Sequence, residues 1–588
     1  MDWVGELKDN RVLRGDVLSG ITVALVLVPQ SMAYAQLAGL DYHYGLYASF
    51  IPGIIAALFG SSRQLSTGPV AVVSLMTAST LGPIASDPET YIAWAVLLAF
   101  LVGLFQLTLG LLRMGVLVNF LSHPVVIGFT NAAAIIIATS QLGKLFGVSV
   151  GHFDQHYETV WHIVLAALSG THFYTLVMGI TSLAVMVVIR QWKPAWPNVL
   201  IAVFSATLAS WSLGFENAGG AVVGRIPEGL PNLKAPAFDV STMLNLMSAA
   251  VIISLVGFME AISISKAIAA RTRQKLDPNR ELIGQGLSNF ASSFFQGYPV
   301  SGSFSRSAVN MNAGALTGFS AVVTGLVVGL TLLVLTPALY HLPQATLAAV
   351  IIMAVINLVR VAPMLYAWRV QRHDGIVAFV VFGLTLILAP HLEWGIVTGM
   401  MLSLSLYLYR TMKPRVVQLS RHFDGSLRDA ELYGLRTCDS ISLIRFDGNL
   451  YFANTGYFEE KVLESAASKP NLQYIIIDAE GINEIDATGE EMLHGLASRL
   501  KSAGVELLFA RTKKQVQDIL HRTRFVELLG EEHFARLRRN AVDLARERMG
   551  CESKSCPLYA AIERNENPET PLCPVLRVEH QSDTLSTR

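Results

Sequence analysis

The chain has 588 residues, of which 52% are hydrophobic and only 15% charged, and its 44 basic and 44 acidic side chains cancel. Soluble domains carry about a quarter charged residues, so a wholly soluble protein is excluded. Zero net charge gives no general attraction to nucleic acid, and no nucleic-acid partner is expected.

Residues 1–15 are charged and polar and are followed by no small-residue cleavage site, so they read as a cytoplasmic N-terminal segment and not as a signal peptide. From 16 to 412 ionisable residues are sparse, and apolar runs recur that approach the roughly 20 residues a membrane helix needs. We expect fourteen segments, at 16–38, 44–60, 67–80, 90–112, 117–140, 172–190, 196–213, 246–269, 282–297, 304–313, 316–338, 342–359, 373–390 and 392–410. The shorter ones need flanking residues or local bilayer thinning to span. Basic residues settle the expected orientation. Arg63, Arg113, Arg190, Lys193, Arg271, Arg273, Lys275, Arg280, Arg360, Arg369 and Arg372 fall on the even-numbered connections, whereas the odd-numbered ones carry Lys144, Arg225 and Lys234. Both termini are therefore expected on the cytoplasmic side.

The third and tenth segments are short, seven segments apart, and entered through similar stretches: Leu65-Ser66-Thr67-Gly68-Pro69-Val70 and Gly302-Ser303-Phe304-Ser305-Arg306. Paired, interrupted helices at matching places in two halves point to an inverted repeat with a binding site near the bilayer midplane. Their N-termini present unpaired N–H groups and positive dipole ends. Arg306 adds a fixed charge that costs roughly 2.5–3.5 kcal/mol at the membrane centre on insertion scales, unless it meets a watery cavity or an anion. Kinked core helices with packing glycines are the bland alternative.

The stretches VALVLVPQSMAYAQLAGL, YGLYASFIPGIIAALFGSSRQLSTGPVAVVSLM and VSGSFSRSAVN, in that order, closely resemble the SulP anion transporters (solute carrier family 26 in animals). The resemblance implies a multispan α-helical membrane protein of two seven-segment inverted repeats, arranged as core and gate domains. It also implies a cytoplasmic α/β STAS domain, a homodimer and an elevator-like motion of core against gate. Carried over residue by residue, the family's substrate pocket maps to Gln30 and Tyr34 in the first segment, to Thr67, Gly68, Pro69 and Val70 at the third, and to Phe304, Ser305 and Arg306 at the tenth. Gln30 and Ser305 can donate hydrogen bonds, and Arg306 supplies charge at any pH. Interhelical bonding by Gln30, packing by Tyr34 and back-bonding by Ser305 to its own helix are the structural alternatives.

Glu260 sits inside the apolar eighth segment. A carboxyl held between desolvation and a nearby arginine can take up and release a proton. The resemblance associates this position with cation coupling, a glutamate with protons and an aspartate with sodium. We expect proton coupling through Glu260, with sodium as the alternative. A structural pair with Arg306 or Lys266 is the competing reading.

Beyond 412 charges become dense. We expect a linker over 413–438, the STAS domain over 439–548 and a disordered tail over 549–588. Strands are expected at 441–446, 449–453, 474–478 and 505–510, with helices at 457–465 and 490–500. In the turn Glu484-Ile485-Asp486-Ala487-Thr488-Gly489, Ala487 follows the acid where phospho-regulated STAS proteins carry a hydroxyl, so Thr488 is expected to cap the next helix. Cys438, Cys551, Cys556 and Cys573 include no closely spaced pair of zinc-finger type, and they are expected as thiols.

The histidines are scattered, and no phosphate-binding loop, metal motif or nucleophile–base pair appears, so neither an enzyme nor a cofactor is expected. The expected function is secondary active transport of a small anion across the plasma (inner) membrane, most simply proton-coupled sulfate uptake. Bicarbonate or a C4-dicarboxylate, and an anion channel, are the alternatives. A signalling scaffold and a nucleobase carrier are weaker ones, and Arg306 speaks against the last. Membrane lipid and an unidentified cytoplasmic partner of the STAS domain complete the expected contacts.

Overall fold

The computed structural model describes residues 3–559, apart from 86, 116–121, 152, 154, 194–195, 357 and 552–555. Two compact units divide the chain, residues Met1–Leu404 and Ser405–Arg588.

The first unit is helical. Its first half contains α1 (Asn10–Leu37), α2 (Tyr42–Phe59), β1 (Ser66–Gly68), α3 (Ala71–Leu81), α4 (Pro88–Leu111), α5 (His123–Ser140), α6 (Leu142–Phe146), α7 (His156–Gly170), α8 (Phe173–Trp192) and α9 (Asn198–Leu213). The second half contains α10 (Val240–Thr272), α11 (Pro278–Phe294), β2 (Ser301–Ser303), α12 (Phe304–Asn312), α13 (Phe319–Leu330), α14 (Gln344–Val355), α15 (Val361–Val370), α16 (Arg372–Leu388) and α17 (Leu392–Met412), the last running past the unit boundary. Each of the fourteen expected segments has its helix, although the part of the fifth at 117–121 lies outside the described residues. Among the described residues, seven helices are long and apolar enough to cross a membrane alone. The helix starts follow ordinary capping chemistry: Asp9, Asp87, Asp239 and Asp277 each accept a backbone N–H from the first turn of α1, α4, α10 and α11.

Three helices fall outside the expected segments: the five-residue α6, which follows α5 directly, and α7 and α15. α7 buries only Ile163 and α15 only Met364, and their large apolar residues Trp161, Leu168, Val361 and Tyr366 are exposed. Glu158 interrupts the 15-residue α7 and Arg369 the 10-residue α15, so neither reads as a span. They follow the fifth segment of each half, as a repeated architecture requires.

Helices α1–α4 pack with α10–α13 as the core domain, and α5, α6, α8 and α9 pack with α14 and α16 as the gate domain. Close backbone approach fixes the core: a Cβ at Gly103 of α4 would lie 2.4 Å from the Phe290 nitrogen of α11, and one at Gly286 would lie 2.5 Å from that of Leu107. Small residues let membrane helices meet in this way, where lipid supplies no hydrophobic driving force. Polar ties add register. Asn289 donates to Gln106 and exchanges bonds with the backbone of Val300 (3.0 and 2.7 Å), and Gln106 donates to the Ser254 carbonyl.

Two buried carboxylates close the ends of core segments. Asp16 on α1 accepts from the Leu316 and Thr317 nitrogens at 2.8 and 3.0 Å and from the Thr317 hydroxyl. Glu281 on α11 accepts from the Ser61 and Ser62 nitrogens, both at 2.9 Å.

The second unit is an α/β sheet of order β4-β3-β5-β6-β7-β8. Its elements are β3 (Arg415–Arg421), β4 (Leu427–Asp429), β5 (Ile441–Asp447), α18 (Thr455–Ala467), β6 (Tyr474–Asp478), α19 (Ala487–Ser502), β7 (Glu506–Ala510), α20 (Lys514–Arg522), α21 (Phe525–Leu529), β8 (Phe534–Ala535) and α22 (Arg538–Arg548). β5 to β8 run parallel and β3 antiparallel to β5. Period-two alternation sends Ile444, Phe446, Ile475, Ile477, Leu507 and Phe509 to one core, and Ile441, Leu443, Ile476 and Leu508 to the other. Burial on both faces produces the continuous apolar runs.

Four expectations here are corrected. Residues 413–438 are no mere linker, because β3 and β4 within them complete the sheet. No strand forms over 449–453; Leu450 makes one bridge to Ile485, and the chain then turns into α18. Asp486, not Thr488, caps α19, accepting from the Gly489 nitrogen at 2.7 Å, because the carboxylate stands at the N-cap and Thr488 already lies inside the helix. The described start of the tail is ordered: Cys551, Cys556 and Leu558 are buried in the second core beside Cys438, and the Pro557 carbonyl accepts from the Arg421 nitrogen at 2.8 Å. Residues 560–588, with Cys573, lie outside the described residues.

Candidate anion-binding site

The site grows from the two interrupted segments. β1 and β2 pair antiparallel, Ser66 opposite Ser303, Thr67 opposite Gly302 and Gly68 opposite Ser301. The apolar pattern predicts a helix from 67 in the third segment. In the structure Thr67 and Gly68 are extended and α3 begins at Ala71. Pro69 is the reason, since it disfavours the helical conformation in the residue before it. The N-termini of α3 and α12 therefore stand at opposite ends of a three-residue ladder, roughly 10 Å long at strand rise. Neither Val70 nor Ser303 caps its helix with a side chain, so the first-turn N–H groups point outward as donors.

Arg306 is the third residue of α12 and is fully buried, the largest such side chain among the described residues. Its guanidinium lies along β1. Nε donates a long bond of 3.4 Å to the Ser66 hydroxyl, and Nη2 would stand 3.3 Å from a Cβ at Gly68. Nη1 and Nη2 have no hydrogen-bond partner among the described residues. The Ser307 hydroxyl accepts from the Ser66 nitrogen at 2.8 Å and locks the two interruptions together.

Helix α10 crosses directly beside β2. The Ser301 hydroxyl donates to the Gly257 carbonyl at 2.6 Å, and a Cβ at Gly302 would stand 3.0 Å from the Ala261 Cα. This approach brings Glu260 into electrostatic range of Arg306, together with the buried Tyr34 and Tyr298. Among the described residues Glu260 forms no ion pair with Arg306 or Lys266, and its Oε2 is buried without a partner. The Tyr298 and Ser74 hydroxyls share a bond of 3.0 Å.

Two cavities flank the start of α12. One of about 580 Å³ is lined by Gln30 and Ser305 with Asn198 and Asn312. The other, of about 350 Å³, is lined by Glu260 and Phe304 with Asn131 and Ser263. Phe304 and Ser305 are exposed to these spaces although Arg306 beside them is not. The Gln30 Oε1 is buried and has no partner among the described residues.

The structure thus gathers Arg306, Gly68, Tyr34 and Glu260, and places Gln30, Ser305 and Phe304 on cavity walls. The Thr67 hydroxyl is committed elsewhere, accepting from Gln285 at 2.9 Å. Pro69 and Val70 line neither cavity. Sequence reasoning does not select Ser66, Tyr298 or Ser307. The matching Ser-Thr-Gly and Ser-Gly-Ser triplets are the available signal for the serines. No signal marks Tyr298.

Chemically, the arrangement is a buried cation with unpaired donors between two helix N-termini. Each unpaired buried donor costs about 1–3 kcal/mol, and an acceptor-rich anion removes that cost.

Comparison with known proteins agrees with this architecture. Residues 13–381 match the sulfate permease family and residues 434–540 match the STAS domain. Sulfate transporter 4.1, chloroplastic, of Arabidopsis thaliana is 36% identical over 552 residues, covering 90% of this chain and 80% of that protein. A probable sulfate transporter of Mycobacterium tuberculosis is 33% identical over 545 residues, covering 92% and 96%. The fold is shared with the murine Solute Carrier 26 family member A9 anion transporter at TM-score 0.83 and 24% identity, covering 93% of each chain. It is also shared with the transmembrane domain of a cyanobacterium bicarbonate transporter, BicA, at TM-score 0.58 and 24% identity, covering 67% of this chain and 98% of that one. The chain belongs to the sulfate permease family of multi-pass membrane anion transporters and carries a STAS domain after its membrane unit.

Proposed function

We propose that this protein is a secondary active transporter that takes up sulfate together with protons across the plasma (inner) membrane. The observation that carries the reading is Arg306, fully buried with both Nη atoms unpartnered among the described residues, beside two uncapped helix N-termini. A dianion with four acceptor oxygens offers the most to such a donor set. Names of relatives that are sulfate transporters support sulfate over bicarbonate or a C4-dicarboxylate.

Gln30, Tyr34, Ser305 and Phe304 shape the pocket, and the 67–70 backbone closes it. Glu260 is the coupling group: it lines a cavity, lies in range of Arg306 and has one oxygen without a partner among the described residues. Proton uptake at Glu260 offsets the negative charge that an arriving anion brings next to Arg306. The core then moves as one body against the gate, because its polar ties run within the core. Such a motion carries the pocket across the membrane without opening a continuous channel. The basic connections support a cytoplasmic location for both termini, and the working form is a homodimer.

Uptake of labelled sulfate, bicarbonate and fumarate into proteoliposomes under imposed pH or sodium gradients tests the reading. Saturable sulfate uptake driven by an inward proton gradient is expected. Unitary currents, or sodium-driven bicarbonate uptake, would overturn it. Glu260→Gln is expected to abolish the accompanying external alkalinisation, and equal proton movement in both proteins would remove Glu260 from coupling.

A further inference from the structure

A cavity of about 560 Å³ lies at the end of the core where the α2–β1 connection meets the α10–α11 connection, away from the crossover of β1 and β2. Ser61, Ser62, Arg63, Arg273, Lys275 and Arg280 line it. Arg63 is held by both Nη atoms on Glu6, each at 3.0 Å. Among the described residues Arg273 and Lys275 form no ion pair. Asp277, the one acidic lining residue, is already engaged, accepting from the Asn279 and Arg280 nitrogens at the start of α11.

A second observation points into the same space. Ser62 is only 7% exposed, its nitrogen is spent on Glu281, and its hydroxyl has no partner among the described residues. Arg273 is displayed from a left-handed backbone position, φ 57°, at the end of α10. Arginine seldom adopts that conformation.

We propose that this cavity is a cytoplasmic regulatory site, separate from the transport pocket, for a polyol phosphate carrying at least two negative charges. Two cations without carboxylate partners among the described residues set the charge. The serine, threonine and glutamine walls suit a hydroxylated body, and the volume is too large for one inorganic oxyanion. Basic residues place the cavity on the inner side of the membrane, where such a group arrives either dissolved or as a lipid headgroup. Occupancy would bridge the connection before β1 to the one after α10, two segments that also hold the crossover and Glu260. Binding there would restrain their movement.

Calorimetric titration of the purified full-length protein tests this with inositol bisphosphate in detergent, and with phosphatidylinositol monophosphate in phosphatidylcholine nanodiscs. Saturable binding in the soluble arm, alone or with the lipid arm, supports the site with a dissolved ligand. Binding in the lipid arm alone supports it with a membrane headgroup. In either case Arg273→Gln with Lys275→Gln is expected to weaken binding by roughly tenfold or more for each cation removed. Ser62→Ala removes one hydroxyl without touching the fold and is expected to weaken it several-fold. Excess sulfate is expected not to displace the ligand. The proposal is overturned by no saturable binding in both arms, by affinities unchanged in both variants while thermal unfolding matches wild type, or by full displacement with sulfate.

Discussion

Gly68 and Arg306 are in contact across the membrane crossover: a Cβ at Gly68 would stand 3.3 Å from Nη2 of the buried guanidinium. The absent side chain is what lets the charge lie against the β1 backbone. Gly68→Ala is therefore expected to fold, since no left-handed backbone is required there, but to push the guanidinium by a few tenths of an ångström. Anion KM should rise roughly tenfold, about 1.4 kcal/mol, with the thermal transition little changed. Uptake kinetics in proteoliposomes measure the first quantity and detergent-phase unfolding the second.

Arg306 separates function from stability. A buried, underpaired charge is costly, and replacing it by an apolar side chain of similar length is often neutral or stabilising. Arg306→Met is expected to lose transport while unfolding at the same or a higher temperature. Arg306→Lys keeps the charge but not the planar fork and is expected to lose more than tenfold in kcat/KM. A stability loss in Arg306→Met would assign this residue a structural role.

Asp16 makes the opposite trade. Its carboxylate holds two backbone nitrogens and a hydroxyl at the entry to α13. Asp16→Ala removes the acceptor of all three donors, the two of Thr317 buried, and should cost about 3 kcal/mol, read as a lower unfolding temperature. Transport per folded molecule is expected to persist.

In the STAS unit, Asp486→Ala should cost about 1 kcal/mol through loss of the α19 cap. Thr488→Ala, at an exposed position in the first turn, should be nearly neutral. Urea unfolding of residues 413–559 compares them.

Lys469 gives a pH signature. Burial pushes its ammonium down to about 8, against the pull of Cys438 and Asp439, while Nζ donates to the Cys438 carbonyl at 2.6 Å. The unfolded chain holds this proton up to the usual lysine range. Between pH 8 and that range the unfolded state binds more protons, so this residue's contribution makes stability rise with pH; below pH 8 its penalty is constant. Lys469→Met is expected to flatten that rise, seen as a difference in urea midpoints between pH 7.5 and about 10.

The legible parts are those written in long-range composition. Apolar runs, the placement of arginines and the matching interruptions at 65–70 and 302–306 yield the membrane unit. Alternation in Ile441–Asp447 and Tyr474–Asp478 yields the later sheet. Residues 413–438 mislead because a strand such as β3, only part-buried, lacks a full apolar run. The 449–453 stretch misleads in the other direction: aromatic residues around a turn imitate a strand.

By itself the chain's chemistry determined which helices seek lipid, which connections carry the arginines, and that one guanidinium must find company within the membrane. Only the tertiary structure decided who that company is. Ser66 and Gly68 meet Arg306 through an antiparallel crossover, and a passing helix brings Glu260 into its electrostatic range, joining positions as many as 240 residues apart. Hydrophobic patterning is a local sum over neighbours along the chain. A ladder of three residue pairs depends on where two distant segments cross.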